Sequence, residues 1–145
     1  MGMGRALKKM AGYSGTPLAK KLGMKDGFHI RLINTPDHYL SLFTDLPPNL
    51  FFDQPDNGKS DIIHFFTKDT HEYKTKLPEL MKQIKSNGMI WISWPKKASK
   101  VSANISEETI RYFAFEIGLV DVKVCAIDEV WSGLKLVIPL RDRIV

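Results

Sequence analysis

The 145-residue sequence predicts a single three-layer α/β domain whose mostly parallel sheet ends in an antiparallel hairpin. Three observations predict it. From Phe28 onward, strand-like runs alternate with helical stripes, the pattern of parallel strands joined by right-handed crossovers with helices on both faces. The runs Ile62 to Thr67 and Met89 to Trp94 are almost unbroken apolar segments, as in strands covered on both sides. The last two strand-like runs, Val120 to Asp128 and Leu134 to Pro139, are joined by a link too short for a parallel crossover, so they must pair antiparallel.

Residues 1–25 read as a basic N-terminal arm carrying a short helix, and residues 26–145 as the α/β domain. Within the arm, Thr16 suits a helix cap, Pro17 a first helical position and Gly23 the end. Two turns of helix cannot stand alone, so this one must dock on the body through Leu18 and Leu22. Phe28 to Asn34 alternates as the first strand, and a short helix through Tyr39, Leu40, Leu42 and Phe43 precedes Pro47-Pro48. Asn49 to Gln54 suits a short edge strand. From Asp69 to Lys85, Tyr73, Leu77, Leu80, Met81 and Ile84 form one helical stripe, with Pro78 inside it predicting a kink and Asn87-Gly88 a stop. Ser106 caps the next helix, in which Ile110, Phe113, Ala114 and Ile117 face inward. Val120, Val122, Val124 and Ala126 then alternate along one strand face, with Cys125 and Ile127 on the other.

Composition narrows the function classes. With 43% hydrophobic and 26% charged residues, the chain reads as a globular domain. No apolar run nears the roughly 20 residues that span a bilayer, and the basic start has no apolar block behind it, so neither a membrane partner nor a secretory signal is expected. The lone Cys125 excludes an internal disulfide and a multi-cysteine zinc site, and the four histidines lack metal-ligand spacing. A cytoplasmic setting and no metal follow as expectations. The net charge of +5 is uneven: Arg5, Lys8, Lys9, Lys20, Lys21 and Lys25 precede any acidic residue, and Lys96, Lys97 and Lys100 form a second group. Such clusters favour anionic partners, nucleic acid included, although a solvated surface would look the same.

The order of elements resembles the Rossmann-like fold of class I methyltransferases in a truncated form, where a parallel sheet is closed by an antiparallel hairpin. The segments Gly12 to Leu18, Ser93 to Lys97, Val122 to Ala126 and Trp131 to Lys135 also resemble those shared by small bacterial proteins grouped as a domain of unknown function. That second likeness implies a common fold and no established activity. The first implies S-adenosylmethionine, a glycine-rich turn after the first strand, and an acidic residue ending the second strand to hold the ribose. Here the turn is Ile33-Asn34-Thr35-Pro36-Asp37-His38, without glycine and with a proline that removes a backbone donor. Asp53 is the candidate for the acidic residue.

Ligands in open α/β sheets bind beyond the carboxyl ends of the strands, where strand order reverses. That rim places Asn34, Thr35, Asp37, Thr67 and Ser93 around a cleft. Beside it, Trp94, Lys96, Lys97, Trp131 and Lys135 are read as an anion site with an aromatic wall, suited to a nucleotide or single strand. Ser93-Trp94-Pro95 shares only its proline with the motif of amino-group methyltransferases, and no catalytic residue is assigned. The expectation is therefore a non-catalytic methyltransferase-like domain, without cofactor, that binds an anionic ligand or a macromolecular partner. A methyltransferase with a remodelled cofactor turn and a structural module contacting another protein are the alternatives.

Overall fold

The computed structural model describes residues 16–143. The proposed arm upstream of residue 16 lies outside the described residues. Six strands form one sheet in the order β2-β1-β3-β4-β6-β5: β1 (His29–Ile33), β2 (Phe51–Phe52), β3 (Ser60–Phe66), β4 (Ile84–Pro95), β5 (Val120–Ala126) and β6 (Trp131–Val137). The pairs β2/β1, β1/β3 and β3/β4 are parallel. The hairpin is antiparallel as expected, but β6 inserts between β4 and β5, leaving β5 at the edge.

Helices α2 (Thr70–Gln83) and α3 (Glu107–Glu116) cover one face, and α1 (Leu18–Leu22) covers part of the other. Tyr73, Leu77 and Leu80 of α2 and Ile110 and Ala114 of α3 close on Ile63, Phe65, Ile90, Ile92, Leu134 and Leu136. Each fully buried Leu, Ile or Phe among them contributes about 1.5–3 kcal/mol by leaving water. The opposite core joins Leu18, Ala19 and Leu22 to Ile30, Ile62, Phe66, Trp91 and Ile127. There the Trp91 indole N–H donates to the Leu22 carbonyl at 3.0 Å, tying the end of α1 to the middle of the sheet. The short helix is thus part of the domain core, inside the residues read as an arm.

Several local expectations are corrected. Pro17 precedes α1 without a side-chain cap, and its first amides are held from a distance by Asp45, whose carboxylate accepts from Ala19 N and Lys20 N at 3.1 Å. The helix expected around Tyr39 is a 3-10 turn, Tyr39–Leu42. Helix α2 runs through Pro78 and stops at Gln83, and Asn87-Gly88 lies within β4. Gly88 is required there, since a Cβ would sit 2.7 Å from the Asp61 carbonyl oxygen. A bulge in β5 between Asp121 and Lys123 breaks the alternation read for its valines, and Val120, Val122 and Val124 are all exposed. No helix among the described residues is long and apolar enough to cross a membrane.

Candidate functional site

The strand order reverses between β1 and β3, and a cleft of about 410 Å³ opens beyond their carboxyl ends. Asn34, Pro36, Thr67, Lys68, Asp69, Glu72 and Trp131 form its walls, over Phe66. Asn34 leaves β1 in the left-handed region (φ 57°), a conformation asparagine tolerates better than most side chains. Its amide donates to the Phe66 carbonyl at 3.2 Å and to Glu72 Oε2 at 3.1 Å. Thr67 Oγ1 donates to Glu72 Oε1 at 2.6 Å. Asp69 caps α2 by accepting from Glu72 N at 2.8 Å and takes a second bond from Asn104 Nδ2, and these donors hold its carboxyl below the usual range. Glu72 is the residue that sequence reading missed. The Asp69-x-x-Glu72 spacing of a helix start was its only signal.

Of the five residues read as the cleft, the structure brings Asn34 and Thr67 to its wall. Thr35 and Asp37 belong to the same turn, but the wall takes Pro36 from it instead. Ser93 is fully buried beneath: its hydroxyl meets His64 Nε2 at 2.8 Å, and His64 Nδ1 meets the Tyr39 hydroxyl at 2.8 Å. Burial pushes His64 down to about 3 and raises Tyr39, so both are neutral at pH 7.

The five residues read as one anion site divide across the sheet. Trp94 belongs to the core under α2 and α3, whereas Trp131 lies against the opposite core, its ring edge-on to Phe66 at 5.0 Å. Register explains the split, because Trp94 pairs with Ser132 and not with Trp131. Trp131 and Lys135, four residues apart on β6, share the α1 face. Lys96 donates to the Asp128 carbonyl at 2.8 Å, bracing the β5–β6 turn. Lys97 lines a hollow of about 480 Å³ with Trp94 and Lys96, whose wall also carries the acidic Glu107 and Glu108. Asp128 accepts from Val130 N and Trp131 N at 2.8 and 2.7 Å and faces His38 at 3.2 Å. Cys125 is half-buried, and burial raises its thiol pKa, as suits a packing residue. Among the described residues no group of three His, Cys, Asp or Glu side chains is placed to hold a metal ion.

Solved structures share this architecture. A methyltransferase dependent on S-adenosylmethionine from Aquifex aeolicus superposes with a TM-score of 0.53 at 15% identity, over 82% of this chain and 86% of that one. The fold is class I methyltransferase-like. The ribosomal protein L11 methylase of Lactobacillus delbrueckii subsp. bulgaricus matches with a TM-score of 0.52 at 11% identity, over 81% and 72%. Magnesium protoporphyrin IX methyltransferase from Synechocystis PCC 6803, with bound S-adenosylmethionine, matches with a TM-score of 0.53 at 11% identity, over 84% and 74%. No protein-family model and no curated protein matches the sequence.

In this methyltransferase-like frame the turn leaving β1 does not fit an adenosyl cofactor in the manner the resemblance implies. A glycine turn lets backbone approach the ligand, whereas here the Asn34 side chain crosses from β1 to Phe66 and Glu72. The segment after it is the 3-10 turn at Tyr39, where a helix start would offer amides. Asp53, the candidate for the ribose, is engaged elsewhere. Strand β2 is two residues long, and the Asp53 carboxylate extends its ladder by accepting from Leu32 N at 2.9 Å.

Proposed function

We propose that this chain is a methyltransferase-like binding domain that takes an anionic ligand and transfers no methyl group. The observation that carries the reading is the Asn34 amide, bonded at once to the Phe66 carbonyl and to Glu72 where a cofactor turn would need open backbone. Engagement of Asp53 by Leu32 N supports it from the second strand. The net charge of +5 supports an anionic ligand. Titration calorimetry with S-adenosylmethionine and S-adenosylhomocysteine is expected to give no saturable heat, while heparin, a generic polyanion, binds and raises Tm. A protein inert to heparin and other polyanions overturns the reading.

The second reading, a methyltransferase with a remodelled turn, is favoured by two observations: the cleft lies at the reversal of strand order, and a structural neighbour carries S-adenosylmethionine. Saturable cofactor binding in the same titration would decide for it.

A further inference from the structure

The α1 face of the sheet is covered by α1 near Trp91 and Ile127, and beyond them it carries a concentration of positive charge. Lys123 on β5 stands directly opposite Lys135 on β6, which has Trp91 as its neighbour on the other side. Directly opposed residues on one face have Cβ atoms about 4.5–5.5 Å apart, and like charges in that position destabilise a sheet. Arg143 stands near enough to Lys135 to repel its charge, and its Nε donates to the Ile138 carbonyl at 2.9 Å, one of a guanidinium's five donors. Lys21 borders the patch by donating to the Ala126 carbonyl at 2.9 Å.

Charge is sorted here by the β5 bulge. In a regular strand Asp121 and Lys123 would lie on the same face and neutralise one another. The bulge instead sets Asp121 opposite Leu136, whose side chain lies in the core beneath α2 and α3, and there Arg111 of α3 holds it in an ion pair. Lys123 and Lys135 are left without a carboxylate: among the described residues, neither they nor Arg143 forms an ion pair. Partial burial and repulsion from Lys123 and Arg143 pull Lys135 below the ordinary lysine range, as expected of cations held together without a counter-ion.

We propose that Lys123, Lys135 and Arg143 form a binding surface for the phosphate backbone of a nucleic acid, which supplies the missing counter-charge. The inference rests on the anionic-ligand reading above and names its surface and partner class. Backbone contacts of this kind are sequence-independent and salt-dependent.

Fluorescence anisotropy with a labelled oligothymidylate and a labelled duplex, across a salt series, tests it on the full chain. Binding is expected to weaken with salt. Lys123→Gln and Lys135→Gln should each lower the affinity and flatten the log–log salt slope by about 0.7–0.9, the value of one phosphate contact. Lys82→Gln, on α2 and on the opposite side of the sheet, serves as the control and should change nothing. Thermal unfolding verifies that the variants fold, and Lys123→Glu, at an exposed position, should abolish binding without unfolding the chain. Nucleic-acid binding that survives both glutamine variants overturns this surface and leaves the anionic-ligand reading standing. Binding of heparin but of neither oligonucleotide overturns the partner class.

Discussion

The Asn34 amide and the Glu72 carboxylate meet at 3.1 Å across the mouth of the cleft, joining the turn after β1 to the first turn of α2. Asn34 serves two ends there, as a donor and as a residue that accepts φ 57°. Asn34→Gly removes the bonds and keeps the conformation, so a loss of about 1 kcal/mol is expected from urea unfolding. Asn34→Ala loses the same bonds and adds left-handed strain, about 1–2 kcal/mol more. Equal losses in the two variants would show that the strain is absent.

The buried chain from Tyr39 through His64 to Ser93 predicts acid sensitivity. The folded His64 pKa, about 3, lies below the ordinary 6.5, so between those values the unfolded chain binds a proton that the folded one excludes. This contribution is full above pH 6.5 and is lost at about 1.4 kcal/mol per pH unit as pH falls toward 3. Urea unfolding from pH 7 to pH 4 should show that slope, and a His64→Gln variant should flatten it.

Removing one member of the same chain leaves another unsatisfied. Tyr39→Phe deprives His64 Nδ1 of its partner at 2.8 Å and should cost about 1–3 kcal/mol. Ser93→Ala, at the other ring nitrogen, should cost a similar amount, and the double variant less than the sum because the sites share His64. Denaturant midpoints of the three variants check this.

Leu22 is fully buried in the core that α1 shares with Trp91. Leu22→Ala should cost about 2–5 kcal/mol and leave α1 the first segment to open. Limited proteolysis should then cleave near residues 18–24 before the sheet is attacked. A variant as resistant as the parent would mean that α1 is not held by this contact.

Gly88→Ala places a methyl group 2.7 Å from the Asp61 carbonyl, and backbone on both sides of that contact must move. A loss of about 1–3 kcal/mol in thermal or urea unfolding is expected. Gly27→Ala meets no atom within 4 Å and suffers only from its positive φ of 86°, so it should cost less.

Much of the architecture was legible because periodicity reports burial. The run Ile62 to Thr67 read correctly as a strand covered on both faces, and β3 is buried along nearly its whole length. Ser106 read correctly as a helix cap, and it accepts the amide bond a cap requires. The candidate site was legible only in part. Asn34 and Thr67 reach the cleft, whereas Trp94 and Trp131 were joined in reading and stand on opposite faces. A letter pattern gives the parity of a residue within its own strand, while the relative register of two strands is decided between them.

By itself, then, the sequence determined the alternation of strands with helices, that the last two strands run antiparallel, and that the domain carries excess positive charge. These are properties of short windows and of simple sums. Tertiary structure alone decided that β6 inserts between β4 and β5, that Asp53 accepts from the Leu32 amide and Asn34 donates to Glu72, and that one bulged residue sends Asp121 to one face and Lys123 to the other. The physical reason is that unpaired backbone groups and buried charges are satisfied by whichever partner the packed chain brings near, at separations in sequence that no local pattern encodes.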